Sequence, residues 1–541
     1  MSMMSKGGAT LKVLLSSVLA NHSESMALLF YAFAFLLAAL AHAAFARRLR
    51  RHGPPLPPGP RGVPLLGSLP FLQSDLHAHF ARLARTHGPI FSIRLGAKLG
   101  VVISSPALAR EVLRDHDATF ANRDVPASAR VIAYGGDADI VWNPNGPKWR
   151  MLRRLSVREM LCPAGLDAVY ARRRREMRAA AANIRAQAGT AVDVGAEIFL
   201  ATMNTVTETL WGATLEGADE KRRSAVGKEF RKVVGEITDL LGRPNVSDFF
   251  PVVAWMDLQG IQRRLGVFLR RFDRIFEDII EMRRKKEGGG VGEGKDFLEF
   301  MLRLEKEGCD GKTPFTMTNV KALLMDMVVG GTETTSNTVE WTMAEMLRKP
   351  EILRRVQAEV DAVVGPDAVV EESHIGRLPY LAAVIKETLR LHPALPLLVP
   401  HCPSAACVVG GYSVPAGARV FFNVWAIHRD PEVWEDPLEF RPERFADGGE
   451  AGKRGWDFSG NDFRYLPFGS GRRMCAGAAM AERMMSYMVA TLVHSFEWRA
   501  VEGIGKEAAE DMEEKFGIVM KKARPLVLVP TPRLARDDLY L

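Results

Sequence analysis

The chain has 541 residues, is 47% hydrophobic and 25% charged, and carries a formal net charge of +8. That supports a sizeable core in one large domain or several ordinary ones. No basic stripe is interleaved with stacking aromatics, which argues against nucleic acid. The five cysteines are irregularly spaced and lack any C-x-x-C, which fits a reducing compartment better than a disulfide framework.

Met26 to Ala46 is an uncharged run of 21 residues. As a helix it spans about 31 Å, the thickness of a bilayer core. A cleaved signal peptide would have a shorter apolar core, with its positive charge in front. Here Arg47-Arg48-Leu49-Arg50-Arg51 follows the run, so the positive-inside rule places the rest of the chain in the cytosol. Residues 1–25 are therefore expected to be a short lumenal segment and residues 26–46 a transmembrane anchor. Residues 47–65 form a basic and proline-rich linker, in which Pro54-Pro55-Leu56-Pro57-Pro58-Gly59-Pro60 imposes a stiff, extended backbone. No internal repeat divides residues 66–541, which are expected to form one domain.

A helix is predicted from Ser74 to Thr86, and a hairpin from Ile90 to Ser104 around Gly96 and Gly100. Phe120 to Val141 mixes apolar and turn residues, as a loop with short helical pieces does. Pro147 then opens a helix with Trp149 and Arg153 on one face. An indole N–H beside a guanidinium suits an anionic carboxylate; a solvated basic helix with a packed tryptophan is the alternative. Arg172 to Arg175 reads as a solvated helix face or, with Lys148, Arg150 and Arg154, as part of a basic surface. Residues 190–282 read as several helices interrupted at Asn245 to Pro251.

Thr318 to Leu347 is predicted to be one long helix, capped by Thr318 or Asn319. Its first half is almost wholly apolar. Its middle, Gly330-Gly331-Thr332-Glu333-Thr334-Thr335-Ser336, places two glycines, a carboxylate and several hydroxyls in one stretch. Each glycine costs about 1 kcal/mol relative to alanine. Buried polar groups are also unfavourable unless satisfied, so the stretch reads as a site; two helices broken at Gly-Gly, with Thr332 as cap, is the alternative. Glu387 and Arg390 share a helix face at i,i+3, a spacing that by itself says little. His401 alone reads as structural or exposed, and Gly410 to Trp425 as two short strands.

Near the end stands Phe468-Gly-Ser-Gly-Arg-Arg-Met-Cys475-Ala-Gly477, followed by a helical run from Ala478 to Trp498. Gly471 and Gly477 permit tight turns. N–H groups aimed at the sulfur would lower its pKa, the helix N-terminus favours negative charge, and Arg473 could neutralise a neighbouring anion. These features describe a thiolate bound to a metal.

This string satisfies F-x-x-G-x-R-x-C-x-G and resembles the haem loop of cytochrome P-450 monooxygenases. Gly330-Gly331-Thr332-Glu333-Thr334-Thr335 resembles the same family's oxygen-activating turn, and Glu387 with Arg390, together with Arg444 of Phe440-Arg-Pro-Glu-Arg-Phe445, its E-x-x-R and P-x-R-F pair. The resemblance covers roughly residue 54 to the C-terminus and points to plant microsomal A-type enzymes.

It implies a mainly α fold with small β-sheets behind an N-terminal transmembrane helix, and a haem-thiolate monooxygenase domain over residues 66–541. The implied cofactor is haem b with Cys475 as axial iron ligand; Trp149, Arg153, His401 and Arg473 would bind it. Glu333 would relay protons, Thr334 would hold ordered water, and Glu387, Arg390 and Arg444 would form a buried triad fixing the cysteine loop. Implied partners are NADPH-cytochrome P-450 reductase, a membrane and a lipophilic small molecule, on the cytosolic face of the endoplasmic reticulum. The expected pocket walls, Phe120 to Val141, Leu323 to Gly331, Ala394 to Val399 and Phe516 to Val519, read as apolar and without fixed charge, which favours a neutral terpenoid substrate. A flavonoid or phenylpropanoid is the alternative. A haem-thiolate isomerase or dehydratase acting on hydroperoxides and a non-catalytic haem-binding protein are rivals of other kinds.

Overall fold

The computed structural model describes Tyr31, Ala34, Leu37 and residues 54–212, 220–286, 296–308, 313–446, 456–501 and 511–540. Among these no helix is long and apolar enough to cross a membrane. The expected anchor over residues 26–46 lies, three positions apart, outside the described residues.

The architecture is helical with small sheets at the side. The principal helices in chain order are α1 (Leu76–His87), α2 (Pro147–Leu155), α3 (Tyr170–Ala186), α4 (Val194–Trp211), α5 (Glu220–Gly242), α6 (Ile261–Lys286), α7 (Phe297–Glu307), α8 (Met317–Arg348), α9 (Pro350–Val364), α10 (Pro379–Leu391) and α11 (Ala478–Ser495). The hairpin forms as expected from β1 (Ile90–Leu95) and β2 (Lys98–Ile103), turning at Gly96 with φ 56°. A side chain there would also strike the Phe249 carbonyl at 2.6 Å. A second sheet orders β3 (Val192–Asp193), β10 (Val527–Pro532) and β7 (Phe496–Ala500). Two further hairpins pair β4 (Cys407–Val409) with β5 (Tyr412–Val414), and β8 (Glu514–Lys515) with β9 (Lys521–Lys522). Strand β6 (Arg419–Phe422) adds to β2 in parallel.

Helix α8 is the axis of the molecule. Its N-terminal half gives Val320, Leu323, Leu324, Met325 and Val328 to one apolar core; its C-terminal half gives Val339, Met343, Ala344 and Met346 to another. The polar turn lies at the seam between them. The helix runs unbroken through Gly330-Gly331, which removes the two-helix alternative. Its N-cap is Thr316, not Thr318 or Asn319; Asn319 instead stands at the third helical position of a capping box.

Two other expectations change. The helix from Ala478 stops at Ser495, because Phe496-Glu-Trp-Arg-Ala500 alternates buried and exposed side chains and pairs with β10. The Arg172–Arg175 run is only partly a solvated face, with Arg174 and Arg175 open to solvent. Arg173 is buried with two bonds to Glu372 (2.6 and 2.8 Å), Arg174 holds Glu371 at 2.7 Å, and Arg175 pairs with Glu208. The run fastens α3 to α4 and to the segment before α10.

Candidate active site

The cysteine loop is shaped by two glycines in the left-handed region, Gly469 (φ 71°) and Gly471 (φ 65°). At Gly471 a Cβ would come within 2.6 Å of the Leu113 carbonyl and of the Asp117 carboxylate. Cys475 N–H donates to Phe468 O at 2.9 Å, which closes the loop. The thiol is exposed although protein surrounds it, as a group on the wall of an interior space is. Burial pushes its pKa up and outweighs the Gly477 N–H and Arg153, which pull it down. The turn's N–H pulls in the expected direction, but the expected net lowering does not hold, because burial is the larger effect. A coordinated metal would make the thiolate outright.

Helix α2 carries Trp149 and Arg153 on one face, and both face this loop. Trp149 Nε1 donates to Ile140 O at 3.0 Å, and Arg153 Nη2 to Met474 O at 2.5 Å. The Arg473 guanidinium lies 4.1 Å from the Trp149 ring centre and donates to the carbonyls of Ala121, Ile140 and Asn143. Arg123, absent from the sequence reading, joins them, bonding to the carbonyls of Val141, Val399 and Pro400. Burial, then the neighbouring arginines, push Arg123 well down; burial brings Arg473 down to about 9. His401 is buried, with Nδ1 3.0 Å from Phe120 O. Burial, Arg123 and Arg473 hold it far below the usual histidine range, so it is neutral. The carboxylate offsetting these cations is Asp139, itself bonded by the N–H groups of Trp142 and Asn143.

The middle of α8 carries the other motif. Gly330 is exposed in the otherwise buried or half-buried middle of α8, and a Cβ added to it would meet no atom within 4 Å. Thr334 Oγ1 donates to Gly330 O at 2.8 Å, leaving its lone pairs to accept. Glu333 is buried and turns to the other side, where it accepts from Thr238 of α5 and lies 3.2 Å from Lys521 of β9. Lys521 lies 2.9 Å from Asp239, and Asp239 2.9 Å from the half-exposed Lys515. The carboxylate thus ends a charged ladder to the surface that no motif signalled. One turn before Gly330, Asp326 accepts from Ile140 N at 2.9 Å. Burial, then Asp139, push its carboxyl well up. Asp326 thereby fixes Ile140, the residue whose carbonyl receives Trp149 and Arg473.

Glu387, Arg390 and Arg444 meet with no solvent at the first two. Arg390 holds Glu387 through two 2.7 Å bonds, and Arg444 Nε reaches the same carboxylate at 3.3 Å. Arg390 also donates to the carbonyls of His428, Pro437 and Glu439. His428 accepts the Leu466 N–H at 2.9 Å and so ties this network to the chain entering the cysteine loop.

Two adjoining cavities of about 410 and 100 Å³ share Leu72, Leu76, Arg243 and Phe516 in their walls. The inner one reaches Leu398, whose Cδ1 lies 3.7 Å from the Cβ position of Gly469 in the cysteine loop. Its walls include Pro396 to Leu398 and Phe516 to Ile518, within the stretches expected. They also include Asp124, Asp248 and Arg419, so the expectation of walls without fixed charge does not hold.

Residues 57–529 match the family model for Cytochrome P450. The chain belongs to the cytochrome P450 family. It is 40% identical to a flavonoid 3'-monooxygenase of Crocosmia x crocosmiiflora, over 90% of this chain and 95% of the relative. It is 38% identical to a flavonoid 3'-monooxygenase of Petunia hybrida (94% and 98%), and 39% identical to Cytochrome P450 76M5 of Oryza sativa subsp. japonica (92% and 96%). A zebra fish cytochrome P450 solved with progesterone superposes with a TM-score of 0.71 at 26% identity, over 84% of this chain and 99% of that one.

The P450 cofactor is haem b, and this chain is a haem-thiolate monooxygenase. Its residues fit that group. Arg123, Arg153 and Arg473 form a partly buried cluster of cations with little internal carboxylate to balance it, which the two propionates of a haem would do. Cys475 is exposed and a Cβ at Gly330 would meet no atom within 4 Å, so the chain itself fills neither position. Among these relatives the flavonoid alternative is better supported than the terpenoid substrate expected first.

Proposed function

We propose that the chain hydroxylates a flavonoid-type phenolic at a ring carbon, with electrons from NADPH passed through NADPH-cytochrome P-450 reductase. The observation that carries this reading is an aromatic-walled slot, with Phe80, Trp142, Phe249, Phe421 and Phe516, that reaches Leu398 beside Gly469 of the cysteine loop, in a chain whose relatives include flavonoid hydroxylases.

Haem, when bound, activates dioxygen for insertion of one atom into the substrate. The chain's residues arrange the rest. Cys475 would hold the cofactor's iron through its sulfur, and Arg123, Arg153 and Arg473 would hold its carboxylates; Trp149 and the neutral His401, whose N–H groups go to Ile140 O and Phe120 O, would flank that edge. Thr334, its proton engaged by Gly330 O, accepts from a water and orients it. Glu333, swinging from Lys521 toward that water, hands it protons resupplied along Lys521, Asp239 and Lys515. The Glu387–Arg390–Arg444 triad keeps the cysteine loop in place.

Residues 26–46 anchor the enzyme in the endoplasmic reticulum with the catalytic domain cytosolic. Support comes from exposed Leu66 and Phe71 and from exposed Val252, Trp255 and Met256. These two surfaces meet where Gly96 N–H bonds Leu66 O and Ala97 N–H bonds Phe249 O, beside the outer cavity lined by Leu69 and Leu72.

Expression in microsomes with reductase and a panel of flavonoids and terpenoids tests the proposal. Hydroxylated flavonoid and a type I spectral shift are expected. Turnover of terpenoids alone would overturn the substrate, and product without NADPH consumption would overturn the reaction.

A further inference from the structure

The charged corner of the inner cavity serves none of the motifs above. Asp124 is saturated: Arg419 Nε donates to it at 2.8 Å and Lys98 pairs with it. Asp248 is only 8% exposed, and its Oδ1 accepts the Ala127 N–H at 2.7 Å. Its Oδ2 faces Arg419 Nη2 at 3.7 Å, beyond hydrogen-bond reach. Two cations and two carboxylates cancel, so the corner offers no net attraction to an ammonium or a carboxylate ligand. Burial raises the Asp248 carboxyl, which further suits it to a neutral partner. The Arg419 guanidinium is held 5.8 Å from the Phe249 ring, so the corner is fixed against the aromatic wall. A purely apolar ligand here would strip water from Asp248 without replacing the hydrogen bond. A ligand hydroxyl would fill the gap, and a site built for a hydroxyl discriminates strongly against the analogue lacking it.

We propose that Asp248, backed by Arg419, is a specificity-determining residue that accepts a phenolic hydroxyl of the substrate while its rings occupy the aromatic slot. This deepens the flavonoid hydroxylase reading and rests on it. The test is spectral titration of the purified holoprotein with naringenin, which carries three phenolic hydroxyls, and with unsubstituted flavanone. Wild type should bind naringenin about 10-fold or more tightly than flavanone. Asp248→Leu should lose that preference by weakening naringenin alone, with haem content unchanged, and Asp248→Asn, which keeps an acceptor, should retain most of it. Preference kept in Asp248→Leu overturns the inference. So does a wild-type ratio near one, which decides the matter even if the leucine variant fails to fold. Absence of any shift with either compound overturns the flavonoid reading itself, which separates the two failures.

Discussion

Two groups of buried guanidiniums flank the cysteine loop, and they are solved differently. In the triad, Glu387 sits between Arg390 and Arg444 and every strong donor of Arg390 has a partner within the chain. In the cluster around Trp149, Arg123, Arg153 and Arg473 lean on backbone carbonyls and repel one another, with Asp139 as their counter-charge. The triad is complete without a ligand, whereas the cluster needs external carboxylates. On the proposed reading the first serves folding and the second the cofactor.

Mutations should split along that line. Cys475→Ala is expected to abolish the thiolate-type reduced-CO band and all hydroxylation, measured by difference spectroscopy and product formation. Glu387→Ala leaves two buried cations uncompensated, at about 3–5 kcal/mol, and should yield no folded holoprotein by Soret absorbance and thermal melting. Arg153→Leu should instead leave the melting of the cofactor-free chain nearly unchanged, while raising the rate of haem transfer to apomyoglobin by about 10-fold. A large loss of cofactor-free stability in that variant would erase the distinction.

A weaker effect tests the triad's outer contact. Burial, then Arg390 and Arg429, bring His428 down to about 3 from its ordinary 6.5. The unfolded chain gains this proton below about 6.5 and the native chain does not, so stability should fall as pH drops from there toward 3. His428→Gln should flatten that slope in melting curves. The smallest change is expected at the surface. Arg150 and Arg154 are exposed on α2, behind the cofactor cluster. Reversing both charges should slow reductase-dependent turnover a few-fold and alter its salt dependence; unchanged kinetics would remove this patch from the docking face.

Residues close in sequence, or fixed by backbone demands, were legible in the chain alone. The Cys475 loop, the α8 turn at Gly330–Ser336, the Trp149–Arg153 face and the β1–β2 hairpin each declare themselves within about a dozen positions, because turn geometry and helical spacing are local. What only the tertiary structure decided depends on long-range placement. Arg123 joins the cofactor cluster from a motifless loop, Asp326 fixes Ile140, Glu333 turns toward Lys521, and Asp248 meets Arg419 inside a slot that looked uncharged. Each is an electrostatic outcome of desolvation and distance, and neither quantity exists until the chain has folded.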